Sequence, residues 1–257
     1  MPALIELGDL TKNFREDITQ KEVLALKDIS MEVQEGDFVC IVGPSGCGKT
    51  TLLHIIAGLK PYFPPNRGAV YLEGRKIKGP GAERGVVFQE YALLPWRNVQ
   101  DNIEFGLKLQ GIPPQERASR SEYFINLGGL QEFREKFPHQ LSGGMKQRVA
   151  VARALVNNPK VLLMDEPFAA VDAQTRMTLQ EELNRIYELA KTTILFVTHS
   201  VEEAVFLANR IVVLSCRPGM ILDNISVDIP RPRSWAKAIH DPEFQDLVSR
   251  VLSLIRT

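Results

Sequence analysis

FVCIVGPSGCGKTTLLHIIAG, residues 38–58, joins a compact apolar run, a glycine-rich octet and an apolar-periodic segment. Phe38 to Val42 is apolar without interruption, as a strand covered on both faces must be. From Thr50 onward Leu53, Ile56 and Ala57 recur at helical spacing. Gly58 and the Pro-rich stretch Pro61 to Pro65 end that helix. Between strand and helix, Gly43, Gly48, Lys49 and Thr50 satisfy G-x-x-x-x-G-K-[ST]. The loop Gly43, Pro44, Ser45, Gly46, Cys47, Gly48 can turn its amides inward around phosphates. The helix start adds unpaired N–H groups and a partial positive charge. Lys49 is expected to reach the β- and γ-phosphates and the Thr50 hydroxyl to ligate Mg²⁺, with Thr51 beside them. ATP and Mg²⁺ are the cofactors this loop implies.

Away from the loop the pattern alternates. Short strand-like pieces (Ala3 to Leu7, Val23 to Ile29, Met31 to Val33) precede it, and residues 85–89 form another short strand. Residues 91–138 turn mostly helical, broken by Gly111, Pro113–Pro114 and Gly128–Gly129. Helix 145–156, strand 161–165, helix 174–190, strand 193–198 and helix 201–209 follow. Strands 211–215 and roughly 220–229 flank Arg217–Pro218–Gly219 as a hairpin. The expected class is α/β, with a mostly parallel sheet covered on both sides. Residues 1–90 and 157–230 form the expected ATP-binding core, 91–156 a helical subdomain, and 231–257 a C-terminal tail or helix.

Other strand ends carry the rest of a phosphate site. In VLLMDEP, Asp165 closes the strand and suits Mg²⁺, directly or through water. Glu166 offers a second carboxylate to accept the attacking water's proton. Gln89 after GVVF can ligate Mg²⁺ or orient water, and His199 after ILFVT can donate to the γ-phosphate. Ser142, Gly143 and Gly144 open a helix with a Ser cap and exposed amides, a second anion-binding helix start. One ATP has one γ-phosphate, so two such sites imply a nucleotide shared between two chains.

Composition excludes several classes. Lys plus Arg equals Asp plus Glu at 31 each, so no global basic field advertises nucleic acid. The apolar stretches fall short of the roughly 18 residues that cross a bilayer. The start, MPALIELGDL, lacks a basic region followed by an apolar run, so no signal peptide is expected. Cys40, Cys47 and Cys216 have no metal-ligand spacing and cannot all pair, which fits a reducing, cytosolic setting.

Together these motifs resemble the ATP-binding-cassette (ABC) family, over about residues 3–230. GPSGCGKT is similar to its Walker A, LSGGM to its signature and VLLMDEP to its Walker B. Gln89 and His199 stand at its Q- and H-loop positions, Asp172 at its D-loop aspartate, and Phe14 where an aromatic stacks on adenine. The resemblance implies a P-loop NTPase cassette with an N-terminal antiparallel β part. It also implies a head-to-tail pair of ATPase subunits, a homodimer or a paired chain, closing on two ATPs. Ser142, Gly143 and Gly144 then contact the γ-phosphate held by the partner. Met145 departs from the commoner Gln; with the phosphate contacts coming from Ser and Gly, modest consequences are expected.

LLPWRNVQDNIEFGL and RPGMILDNISVDIPRPR look like the nitrate, sulfonate, taurine and bicarbonate importer ATPases. That narrower likeness implies transmembrane permease subunits as partners and, indirectly, a substrate-binding protein, with the chain on the cytoplasmic face of the inner membrane. The permease and binding protein would set the substrate: small anions first, heteroaromatic vitamin precursors as the alternative. Leu94, Pro95 and Trp96 are either an apolar socket for the permease or a buried anchor within the helical subdomain. The Cys47 thiol, near a helix start, is either acidified or a small loop residue. A non-transport ABC ATPase is a further alternative: repair types insert a long coiled coil, against which roughly 90 residues without sustained heptads argue, and translation types usually carry two cassettes in one chain. A small-molecule P-loop kinase is disfavoured by Asp165–Glu166, the signature and His199.

Overall fold

The computed structural model describes residues 3–15 and 21–256. The chain divides into two compact units, 1–81 with 180–257, and 82–179. In the first unit, β1 (Ile5–Arg15) and β2 (Glu22–Val33) pair antiparallel, Ile5 opposite Val33 and Arg15 opposite Glu22. Asp9 and Asp28 take φ 48° and 49°, and the register shifts three times along the pair. These bulges let polar, turn-like sequence remain inside two long strands, where the sequence reads as short pieces. After β3 (Phe38–Val42) and α1 (Lys49–Ala57), β4 (Arg67–Leu72) turns into β5 (Arg75–Lys76) through Glu73–Gly74, both at positive φ. The resulting sheet has the order β2-β1-β4-β5.

The second unit opens with β6 (Arg84–Val87) and continues through α2 (Val99–Leu109), α3 (Pro114–Leu127) and α4 (Gly143–Leu155) to β7 (Val161–Asp165). β6 and β7 pair parallel, Val87 opposite Met164. The three helices have a core of their own: Val99, Ile103 and Leu107 meet Ile125, Leu130, Leu141, Val149, Ala152 and Val156. Apolar residues four apart on α2 account for its part of that core. Met145 packs partly buried against the same cluster, so the residue departing from the common signature fills space there.

Helix α5 (Ala173–Ala190) returns the chain to the first unit. There β8 (Thr193–Val197) lies parallel to β3, Ile41 opposite Val197, with α6 (Val201–Leu207) following. β9 (Arg210–Leu214) pairs parallel on the other side of β3 and antiparallel with β10 (Ile221–Ser226). β3 and β8 are buried at every residue, which is why β3 is unbroken apolar and β8 is apolar after Thr193.

The tail is two helices rather than one, α7 (Trp235–Ala238) and α8 (Pro242–Arg256). Trp235 stacks on Phe206 at 4.1 Å and its indole N–H donates to Gln180 Oε1 at 2.8 Å. Arg233 donates to the carbonyls of Val205, Phe206 and Ala208, satisfying the end of α6. Burial pushes its guanidinium down to about 10. No helix among the described residues is long and apolar enough to cross a membrane.

Candidate active site

In the first unit the parallel register sets the C-terminal ends of β3, β8 and β9 side by side, the edge where ligands bind in open α/β sheets. Gly43 to Gly48 leaves β3 at that edge. Gly46 and Gly48 take φ 74° and 103°, and Gly48 caps α1 from the left-handed region. A methyl group on Gly48 would lie 2.7 Å from Leu26 Cδ2, so both space and backbone demand glycine. The amides at the start of α1 follow directly. Lys49 is buried, and its ammonium donates to the carbonyls of Gly43 at 2.9 Å and Pro44 at 3.0 Å. Thr50 and Thr51 occupy the first turn of α1.

The Cys47 thiol is buried and pushed up by that burial, with Lys49 opposing the shift. That direction is opposite to acidification and fits a small loop residue. His199 stands exposed in the turn between β8 and α6, where Ser200 Oγ accepts from the Glu203 amide at 3.2 Å. The turn after β9 borders the loop: Arg217 donates to the Gly46 carbonyl at 3.4 Å. Phe14 is half-buried, edge-on to Tyr62 at 5.8 Å, with the Lys12 ammonium 5.3 Å over its ring.

In the second unit β6 and β7 end together. Asp165 is the buried last residue of β7. Glu166 follows at φ 42°, an unfavourable conformation for a side chain of its size. Gln89 lies two residues past β6, exposed, at the same edge. Ser142 caps α4, its Oγ accepting from the Met145 amide at 3.3 Å, so the helix begins on Gly143 and Gly144. A methyl group on Gly144 would lie 2.7 Å from Thr175 Cγ2, which explains the second glycine by close approach of α5. Asp172 accepts from the Thr175 amide at 3.0 Å, and this bond holds its carboxyl below the usual range. Each unit thus gathers part of the expected set: Gly43–Thr51 and His199 in one, Gln89, Asp165, Glu166, Ser142–Gly144 and Asp172 in the other.

The Leu94–Trp96 segment resolves one alternative. Trp96 is 70% exposed and Pro95 exposed, so the pair is no buried anchor. Asn102, fully buried, holds the segment from below. Its amide donates to the carbonyls of Leu94, Arg97 and Asn98 at 3.1, 2.9 and 2.9 Å and accepts from the Leu94 amide at 2.8 Å. Sequence reading passed over Asn102; a polar residue among Val99, Ile103 and Leu107 on the apolar face of α2 was the available signal.

The profile of the ABC transporter family matches residues 26–169. The nitrate import ATP-binding protein NrtD of Synechocystis sp. is 47% identical over 98% of this chain and 95% of its own length. The bicarbonate transport ATP-binding protein CmpC of Synechococcus elongatus is 49% identical over 90% of this chain, which spans only 35% of that protein. Among solved structures, a dimeric ATP-binding cassette in a post-hydrolysis state bound to ADP and Pi superposes with a TM-score of 0.76. It is 31% identical over 88% of this chain and all of its own. Loop, strand ends and capped signature helix stand on a P-loop cassette fold, and the chain belongs to the ABC transporter family as an ATP-binding cassette that hydrolyses ATP.

Proposed function

We propose that this ATPase energises the import of a small anion, of the nitrate, alkanesulfonate, taurine or bicarbonate class, through membrane permease subunits. The observation that carries the reading is the end-to-end likeness to a nitrate import ATPase. On this reading the chain works at the cytoplasmic face of the inner membrane, held there by the permease, and an external binding protein delivers the anion. Leu94, Pro95 and Trp96 meet the permease, and the same unit carries an open groove of about 450 Å³ lined by Phe88, Ala92, Phe105 and Leu109. Residues 91–156 act as the helical subdomain, which their separate core supports.

For the chemistry, Gly43–Thr51 wraps the phosphates, Lys49 binds the β- and γ-phosphates and Phe14 takes the adenine face. Thr50, Gln89 and Asp165 are an all-oxygen donor set, which fits hard Mg²⁺ held jointly with phosphates. Such a site needs no cluster of three or more His, Cys, Asp or Glu, and none occurs among the described residues. The ion, when bound, neutralises charge on the phosphates. Glu166 accepts the proton of the attacking water, and His199 donates to the γ-phosphate. Ser142, Gly143 and Gly144, with Asp172, serve the nucleotide of a partner chain. ATP favours the closed pair and hydrolysis removes the shared contact, which is the mechanical output.

Deleting the gene should abolish high-affinity uptake of one labelled anion of this class, restored by the wild-type chain and not by Glu166→Gln. Unchanged uptake of all four anions, with loss of a vitamin precursor's uptake instead, would transfer the protein to the other importer class.

A further inference from the structure

Two residues past Gln89 the backbone of the second unit is strained. Tyr91 and Ala92 take φ 59° and 48°, and the Ala92 amide donates to the Glu90 carbonyl at 2.6 Å, a tight three-residue turn about Tyr91. Such conformations persist only where the surroundings over-determine them. Here the surroundings are one helix. Arg153 of α4 donates from Nη1 to the Ala92 carbonyl at 2.6 Å and from Nη2 to the Tyr91 carbonyl at 2.8 Å. The Tyr91 hydroxyl, itself buried, lies 3.4 Å from where a Cβ on Gly143 would stand. Arg153 thus bonds the turn to α4, and the Tyr91 hydroxyl packs close to Gly143 of the signature, ten residues earlier on the same helix.

We propose that Arg153 is a positioning residue for hydrolysis: by holding both carbonyls of the Tyr91–Ala92 turn it fixes where Gln89 stands and ties it to the Ser142–Gly144 helix start. The inference rests on the reading of Gln89 as a Mg²⁺ or water ligand. A planar guanidinium suits the task, because one side chain offers two N–H groups in a fixed fork to successive carbonyls; a lysine ammonium has no such fork. Burial lowers the Arg153 guanidinium, as expected of a cation taken from water to serve two backbone oxygens. Ala92 and Arg153 also line an open groove with Phe88, Phe105 and Leu109.

The test is a double-mutant cycle on the full chain, reading kcat and KM for ATP. Arg153→Met should lower kcat about tenfold with KM within about twofold, since Gly43–Thr51 still holds the nucleotide. Arg153→Lys should lie between. In a Gln89→Ala background either change should cost less than about twofold more, because the residue it positions is gone. Multiplied losses in the double variant, or a raised KM at unchanged kcat, would overturn the inference while leaving Gln89 its role. An unchanged kcat for Gln89→Ala alone would overturn the reading of Gln89 and this inference together. Should Arg153→Met fail to fold, Arg153→Lys completes the same cycle.

Discussion

Glu166 has the backbone of a residue held for a purpose: φ 42° one step beyond a buried strand, with the Ala169 amide closing a turn on its carbonyl at 3.1 Å. Glu166→Gln keeps that shape and removes only the proton acceptor. ATP turnover should fall at least about 100-fold with nucleotide affinity retained; turnover within about threefold of wild type would remove Glu166 from the base role. Residues of this kind were legible because their chemistry is written locally. Gly43 to Thr50 encode a loop geometry in eight consecutive positions, and Asp165–Glu166 sit directly on an apolar strand end. Arg153 and Arg233 were not legible, since each acts on backbone carbonyls that only the folded chain brings to it, and Asn102 left only its polarity on an apolar face.

Among the elements, α2 shows how one buried polar side chain shapes an exposed feature. Asn102 makes four hydrogen bonds to the turn carrying Pro95 and Trp96. Asn102→Leu would take the side-chain partner from the Leu94 amide and the Arg97 carbonyl, at a cost on the order of 1–3 kcal/mol. The unfolding midpoint in urea should drop accordingly, and amide exchange should quicken across residues 94–98; unchanged exchange there would deny Asn102 its hold on the turn. Periodicity located α1, α4, α5 and the β3–β8–β9 strands well, because buried strands and amphipathic helices carry their own pattern. It split β1 and β2 at their bulges, missed the short β4–β5 hairpin, and saw one helix where Asp241 separates α7 from α8. Bulges and two-residue strands leave little periodic signal.

On the scale of the whole molecule, Ser142–Gly144 presents a capped, amide-rich helix start in addition to the one at Gly48–Thr50. A related cassette is a dimer solved with ADP and Pi, and the proposed sharing of each nucleotide between two chains rests on this pair of helix starts. The direct measurement is the mass in solution of the 28.9 kDa Glu166→Gln chain, with and without saturating Mg-ATP, by analytical ultracentrifugation. ATP should convert it to a dimer of about twice that mass carrying two nucleotides, and Ser142→Arg added to the same chain should prevent pairing while nucleotide still binds. A Glu166→Gln chain that binds Mg-ATP and stays monomeric, alone and with its permease, would contradict the shared site.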